Sequence, residues 1–112
     1  MYGIPNCDTI KKAQHWLNQH NIPFTFHDYR KDGLDEKLLT ELYQTSQWQD
    51  LLNKRSTSYR ALTEQQKSSL DEQTATALFI TFPTLIKRPL VIHQGVAILG
   101  FNQENYQTFF SA

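Results

Sequence analysis

The sequence holds a single cysteine, Cys7, among its 112 residues. One thiol cannot close an intramolecular disulfide, so a reducing compartment, the cytoplasm, is the expected location. There is no surplus of charge either: 11 basic residues balance 11 acidic ones. That excludes the clustered Lys/Arg excess on which direct nucleic-acid binding depends. The densest basic stretches, Arg30-Lys31 and Lys87-Arg88, are only doublets, and Asp28 and Asp32 flank the first. No run approaches the ~20 apolar residues that cross a bilayer. The N-terminus also lacks the basic-then-apolar order of a signal peptide. The four glycines are too scattered for a phosphate-binding loop. His15 and His20 stand five apart, off a common helix face, and no second cysteine completes a zinc set, so no metal site is expected.

What remains is the length and patterning of one domain. Ile10, Ala13 and Leu17 recur at helical spacing over residues 8–20, and Asn21 and Pro23 end that pattern. Phe24 and Phe26 alternate with Thr25 and His27, which predicts a half-buried strand over residues 24–29. A polar turn follows at residues 30–33. Residues 35–78 read as short helices, with apolar faces at Leu38, Leu39, Leu42 and Tyr43, then at Trp48, Leu51 and Leu52. Thr63 with Gln66 makes a capping box, and Asp71 caps a further helix carrying Ala75, Leu78 and Phe79. Pro83 and Pro89 bracket a linker into residues 90–92. Gln94-Gly95 then turns the chain into residues 96–99, a hairpin. Asn102 caps a last helix with Tyr106, Phe109 and Phe110 on one face. Strand, helix, strand, helical block, two strands and helix fit an α/β mixed sheet with helices on both faces. If Cys7 follows the first strand, only residues 1–4 remain to build it. Either that strand is stunted or the natural start lies upstream.

Cys7 sits directly before the first helix, after a Pro5-Asn6 turn. Helix-start N–H groups favour a thiolate, but by only ~0.3–1 kcal/mol, less than one pKa unit. The neighbouring Asp8 opposes even that. A reactive thiolate therefore needs a cation, since unit charges ~4 Å apart interact by ~4 kcal/mol at an effective dielectric of ~20. Lys11, one turn along, and Arg88 are the candidates; without them Cys7 is a small buried hydrophobe.

Tyr2-Gly3-Ile4-Pro5-Asn6-Cys7-Asp8-Thr9-Ile10-Lys11-Lys12-Ala13 and residues 27–33 (HDYRKDG) resemble the YffB-like branch of the ArsC/Spx family. So do residues 52–56 (LNKRS), Ile86-Lys87-Arg88-Pro89 and Gly100-Phe101-Asn102. The resemblance spans nearly the whole chain. It implies a thioredoxin-like sheet in a single domain over residues 1–112, with its core at about 1–33 and 80–112 and a helical insertion at about 34–79. It also implies that Arg88 precedes a cis-proline, Pro89, on a loop facing Cys7, which would supply the missing cation. Arg55 matches a family arginine that contacts a glutathione carboxylate or braces the fold. Asn6 and Thr9 either hydrogen-bond the thiolate or serve as turn and cap residues.

The departures choose the branch. Glutathione-dependent arsenate reductases carry a histidine four residues before the cysteine, where this chain has Gly3. Two of their oxyanion-site arginines fall on Asn53 and Ala97, leaving Arg88 alone, too few charge-assisted donors for a dianion. Spx-type regulators often carry Cys-x-x-Cys, but Ile10 occupies the second position. The resemblance thus implies a glutathione-dependent monothiol reductase, with Cys7 and Arg88 as catalytic pair. Glutathione, the co-substrate, or another thiol protein supplies the second sulfur, and no cofactor is tightly bound. An Spx-like regulator docking on RNA polymerase and a residual arsenate reductase are the alternatives.

Overall fold

A computed structural model describes residues 1–5 and 8–111. The chain divides into two compact units, Met1–Asp32 with Arg88–Ala112, and Gly33–Lys87.

The first unit holds a mixed four-stranded sheet in the order β2-β1-β3-β4. Strand β1 (Tyr2–Gly3) runs parallel to β2 (His27–Asp28) and antiparallel to β3 (Leu90–His93), which pairs antiparallel with β4 (Val96–Leu99). The first strand is indeed stunted, at two residues. The strand expected over residues 24–29 is realised only at His27–Asp28, the residues that pair with Tyr2 and Gly3. Phe24 and Phe26 still pack against the core, from irregular chain. The β3–β4 turn has positive φ at Gln94 (53°) and Gly95 (77°), the conformation that suits the twist of a two-residue hairpin.

Helices α1 (Asp8–Gln19) and α7 (Gln103–Phe110) cover one face of this sheet. Ile10, Ala13, Trp16 and Leu17 from α1 meet Val91 of β3 and Tyr106 of α7 in one buried cluster. Burying each of the larger side chains contributes on the order of 1.5–3 kcal/mol. Trp16 and Tyr106 meet edge to face with centroids 5.5 Å apart. Asn102 caps α7, its Oδ1 accepting from the Asn105 N–H at 3.1 Å.

The second unit is helical: α2 (Glu36–Leu42), α3 (Trp48–Leu51), α4 (Thr57–Arg60), α5 (Glu64–Ser68), α6 (Glu72–Thr81) and a 3₁₀ turn, Pro83–Leu85. Sequence reasoning takes the segment after Pro83 for a linker, but it is this turn, with Leu85 and Ile86 fully buried. Both expected caps form. Thr63 exchanges hydrogen bonds with Gln66, and Asp71 with Thr74. Helix α6 is the hub against which α2, α3 and the 3₁₀ turn pack, with Ala75 and Phe79 buried. The Tyr43 and Thr76 hydroxyls join α2 to α6 at 2.6 Å. Leu52 bridges to Ile86, and the Asn53 N–H donates to the Leu85 carbonyl at 2.7 Å. No helix among the described residues is long and apolar enough to cross a membrane.

Candidate functional site

The sheet register brings sequence-distant side chains to the point where the chain leaves β1. Tyr2 pairs with His27 and Gly3 with Asp28 on the parallel side, while Tyr2 pairs with Leu90 on the antiparallel side. Carried forward, the first register sets Tyr29 level with Ile4, and the Tyr29 N–H donates to the Gly3 carbonyl at 2.9 Å. The second ends at the Tyr2–Leu90 pair, and Arg88 stands two residues before β3, ahead of a cis peptide bond to Pro89. From Ile4 the chain has only Pro5, Asn6 and Cys7 before α1 begins at Asp8.

Arg88 is half-buried, and the Arg88–Pro89 peptide bond is cis. Pro89 itself is buried, and its carbonyl accepts from the Gly100 N–H at 2.9 Å. Thr9 is half-buried and Lys11 exposed in the first turn of α1. Cys7 and Asn6 lie outside the described residues. Arg55 is exposed in the helical unit, its N–H donating to Asn53 Oδ1 at 3.1 Å. Among the expected residues, then, Arg88 and Pro89 directly precede β3, the strand that pairs with β1.

Tyr29, which sequence reasoning places only as the end of a strand, lies on the β2 side of β1. It is 2% exposed, and its ring stacks on Tyr2 at 6.3 Å and meets His27 edge-on at 6.1 Å. Burial pushes its phenol well above the usual range. Neighbouring Tyr2 adds to that rise, and the positive charge of Arg88 works against it. The available signal was the period-2 alternation, which puts Tyr29 on the same face as His27.

Positions that differ from arsenate reductases are locally committed. An added Cβ on Gly3 would overlap Ile10 Cδ1, because that side of β1 faces α1. Ile10, at the position of a second Cys-x-x-Cys cysteine, is fully buried in the core. Asn53 closes a turn through Arg55, and Ala97 pairs with Ile92 in the hairpin. Among the described residues no cluster of three His, Cys, Asp or Glu side chains is close enough to hold a metal ion.

The ArsC family profile matches residues 2–109 of this chain. The chain belongs to the ArsC family. Among solved structures of the family, it is 40% identical to a YffB protein, covering 96% of this chain and 94% of that one at a TM-score of 0.85. It is 41% identical to an arsenate reductase (ArsC) related protein from Brucella melitensis, with coverages of 99% and 92% and a TM-score of 0.81. An uncharacterised Haemophilus influenzae protein is 51% identical over 99% of this chain and 97% of its own length. The global transcriptional regulator Spx of Streptococcus pneumoniae is 26% identical, over 97% of this chain and 83% of Spx. The thioredoxin-like α/β fold is therefore that of the ArsC family, whose members here include both reductase-related proteins and regulators.

Proposed function

We propose that this ArsC-family protein is a glutathione-dependent monothiol reductase acting through Cys7. The observation that carries this reading is Arg88, half-buried two residues before β3, the strand that pairs with β1, in a chain whose one thiol directly precedes α1. A guanidinium held there is a fixed positive charge, and it favours the thiolate over the thiol.

In the first step the Cys7 thiolate attacks the glutathione sulfur of a mixed disulfide, RS–SG. A Cys7–SG bond forms as the RS–SG bond breaks, and RS⁻ leaves to take up a proton. In the second step a glutathione thiolate attacks the sulfur of the Cys7-bound glutathione, releasing oxidised glutathione and the Cys7 thiolate. In total RS–SG and GSH become RSH and GSSG, so glutathione supplies both electrons. Lys11, positive and exposed in the first turn of α1, is suited to a carboxylate of glutathione, and Asn6 and Thr9 lie on either side of the thiol in sequence.

A coupled assay with a small glutathione mixed disulfide tests this. Turnover that requires glutathione and vanishes in Cys7→Ser is expected; turnover independent of either would overturn it. The likeness to Spx over almost the whole chain favours one second reading, a regulator docking on RNA polymerase. In that case polymerase subunits are retained by the immobilised protein while the reductase assay stays silent.

A further inference from the structure

The sheet carries an open lane beyond the start of β1. Strand β1 is two residues long, whereas β3 runs on to His93, and the β1–β3 ladder holds one pair, Tyr2 with Leu90. A two-residue turn closes on a hydrogen-bonded pair, so His93–Val96 and Val91–Ile98 exchange the hydrogen bonds of the hairpin and Ile92–Ala97 does not. The Ile92 N–H and C=O are therefore turned away from β4, toward the line of β1 ahead of Met1. Across that line, the Met1 ammonium donates to the Thr25 carbonyl at 2.8 Å, and the His27 N–H donates to the Met1 carbonyl at 2.7 Å.

The lane opens into a cleft of about 710 Å³. Leu17, Ile22, Phe24 and Phe110 give it apolar walls, and His27 and His93 line it as well. No Asp or Glu among the described residues lines it. The Met1 ammonium keeps donors to spare, since it has three N–H groups and one is engaged at Thr25. Burial lowers its pKa, the sign of a charge partly stripped of water. A ligand matched to these groups has an apolar body, backbone donors and acceptors, and a negative end.

We propose that this cleft binds the C-terminal end of an extended peptide, which lies alongside β3, exchanges hydrogen bonds with Ile92 and sets its carboxylate against the Met1 ammonium. The carboxylate fixes the direction: a chain parallel to β2 and antiparallel to β3 brings its C-terminus to Met1. Side chains alternate along a strand, so the penultimate residue falls on the face of Met1, toward Leu17 and Phe110, and is best apolar. A simple apolar acid would satisfy the ammonium but leave the Ile92 carbonyl without a donor. The site stands apart from the thiol chemistry, and its failure leaves the reductase reading untouched.

The experiment titrates the isotope-labelled full chain with acetyl-Ala-Ile-Thr, carrying a free carboxylate, by heteronuclear NMR. Expected are saturable shifts at Ile92, whose N–H gains protection from hydrogen exchange. Affinity should be about tenfold lower for the same peptide ended in an amide, and for protein acetylated at the Met1 amine. Equal binding of the carboxylate and amide forms overturns the proposal, as does the absence of any shift at millimolar peptide. Hexanoate that binds as tightly, with the Ile92 N–H unmoved, marks a site for simple apolar acids and overturns the peptide. Intact mass of the protein recovered from its own cells completes the test. It must correspond to a chain beginning at Met1, because residues ahead of Met1 would lie along the lane themselves and overturn the proposal.

Discussion

The Tyr29 N–H donates to the Gly3 carbonyl at 2.9 Å, which carries the parallel β1–β2 pairing one residue past the end of β2. On the other side of β1, Leu90 of β3 pairs with Tyr2, and Arg88 stands two residues before it. Arg88 brings positive charge to that side of the sheet, and its part in the chemistry can be tested.

Arg88→Ala should raise the pKa of the Cys7 thiol. Arg88 is half-buried, so the ~4 kcal/mol of a close pair at an effective dielectric of ~20 is an upper bound and screening reduces it. A rise of about one unit, read from the pH dependence of alkylation, is expected. Arg88→Lys should restore part of it, because charge returns without the planar fork. An Arg88→Ala profile that overlays the wild type would remove Arg88 from the site.

Arsenate turnover with glutathione and glutaredoxin should be absent or marginal if, as the resemblance implies, Gly3, Asn53 and Ala97 stand where an arsenate reductase carries a histidine and two arginines. Reinstating the histidine should not help. Any side chain at residue 3 runs into Ile10, which is fully buried under β1. Gly3→His is therefore expected to destabilise the protein by about 1–3 kcal/mol in denaturant titration, the range typical of overpacked cores. Robust arsenate reduction by the wild type, lost in Cys7→Ser, would contradict this.

Oxidised glutathione should give one glutathione adduct per chain and no internal disulfide, since Cys7 is the sole cysteine and Ile10 fills the resolving position. Glutathione is anionic, and the cations expected to favour the adduct are Lys11, exposed, and Arg88, half-buried. Adduct formation should then slow as salt shortens the screening length below ~8–10 Å. Intact-mass measurements over a salt series read both. A Cys7 that resists modification until the protein is unfolded would mark a structural thiol.

Acid should loosen the helical unit from the start of α6. The Thr74 backbone N–H and hydroxyl hold the Asp71 carboxyl below its ordinary range, and the Gln73 N–H acts in the same direction against a small effect of desolvation. A carboxylate depressed in the folded state adds stability above its unfolded pKa and loses it as pH falls through the folded one. Asp71→Asn keeps a capping side chain but cannot titrate. Far-ultraviolet circular dichroism at low pH should show a smaller acid-induced loss of helix in that variant than in the wild type, and identical curves would count against the cap.

Much of the fold was legible because its determinants are local. Thr63 with Gln66, Asp71 with Thr74, and Asn102 with Asn105 settle helix starts within three residues, and Gln94-Gly95 settles the hairpin through backbone conformation alone. The apolar spacing of Ile10, Ala13 and Leu17 likewise marks the buried face of α1. The sequence by itself therefore determined the order of elements and the solitary thiol ahead of a helix. Only the tertiary structure decided that β2 stops at two residues, that Gly3 has no room for a side chain, and that the Tyr29 N–H meets the Gly3 carbonyl. Each of these depends on which backbone lies alongside which, and strand register is a property of a pair of segments that neither one encodes alone.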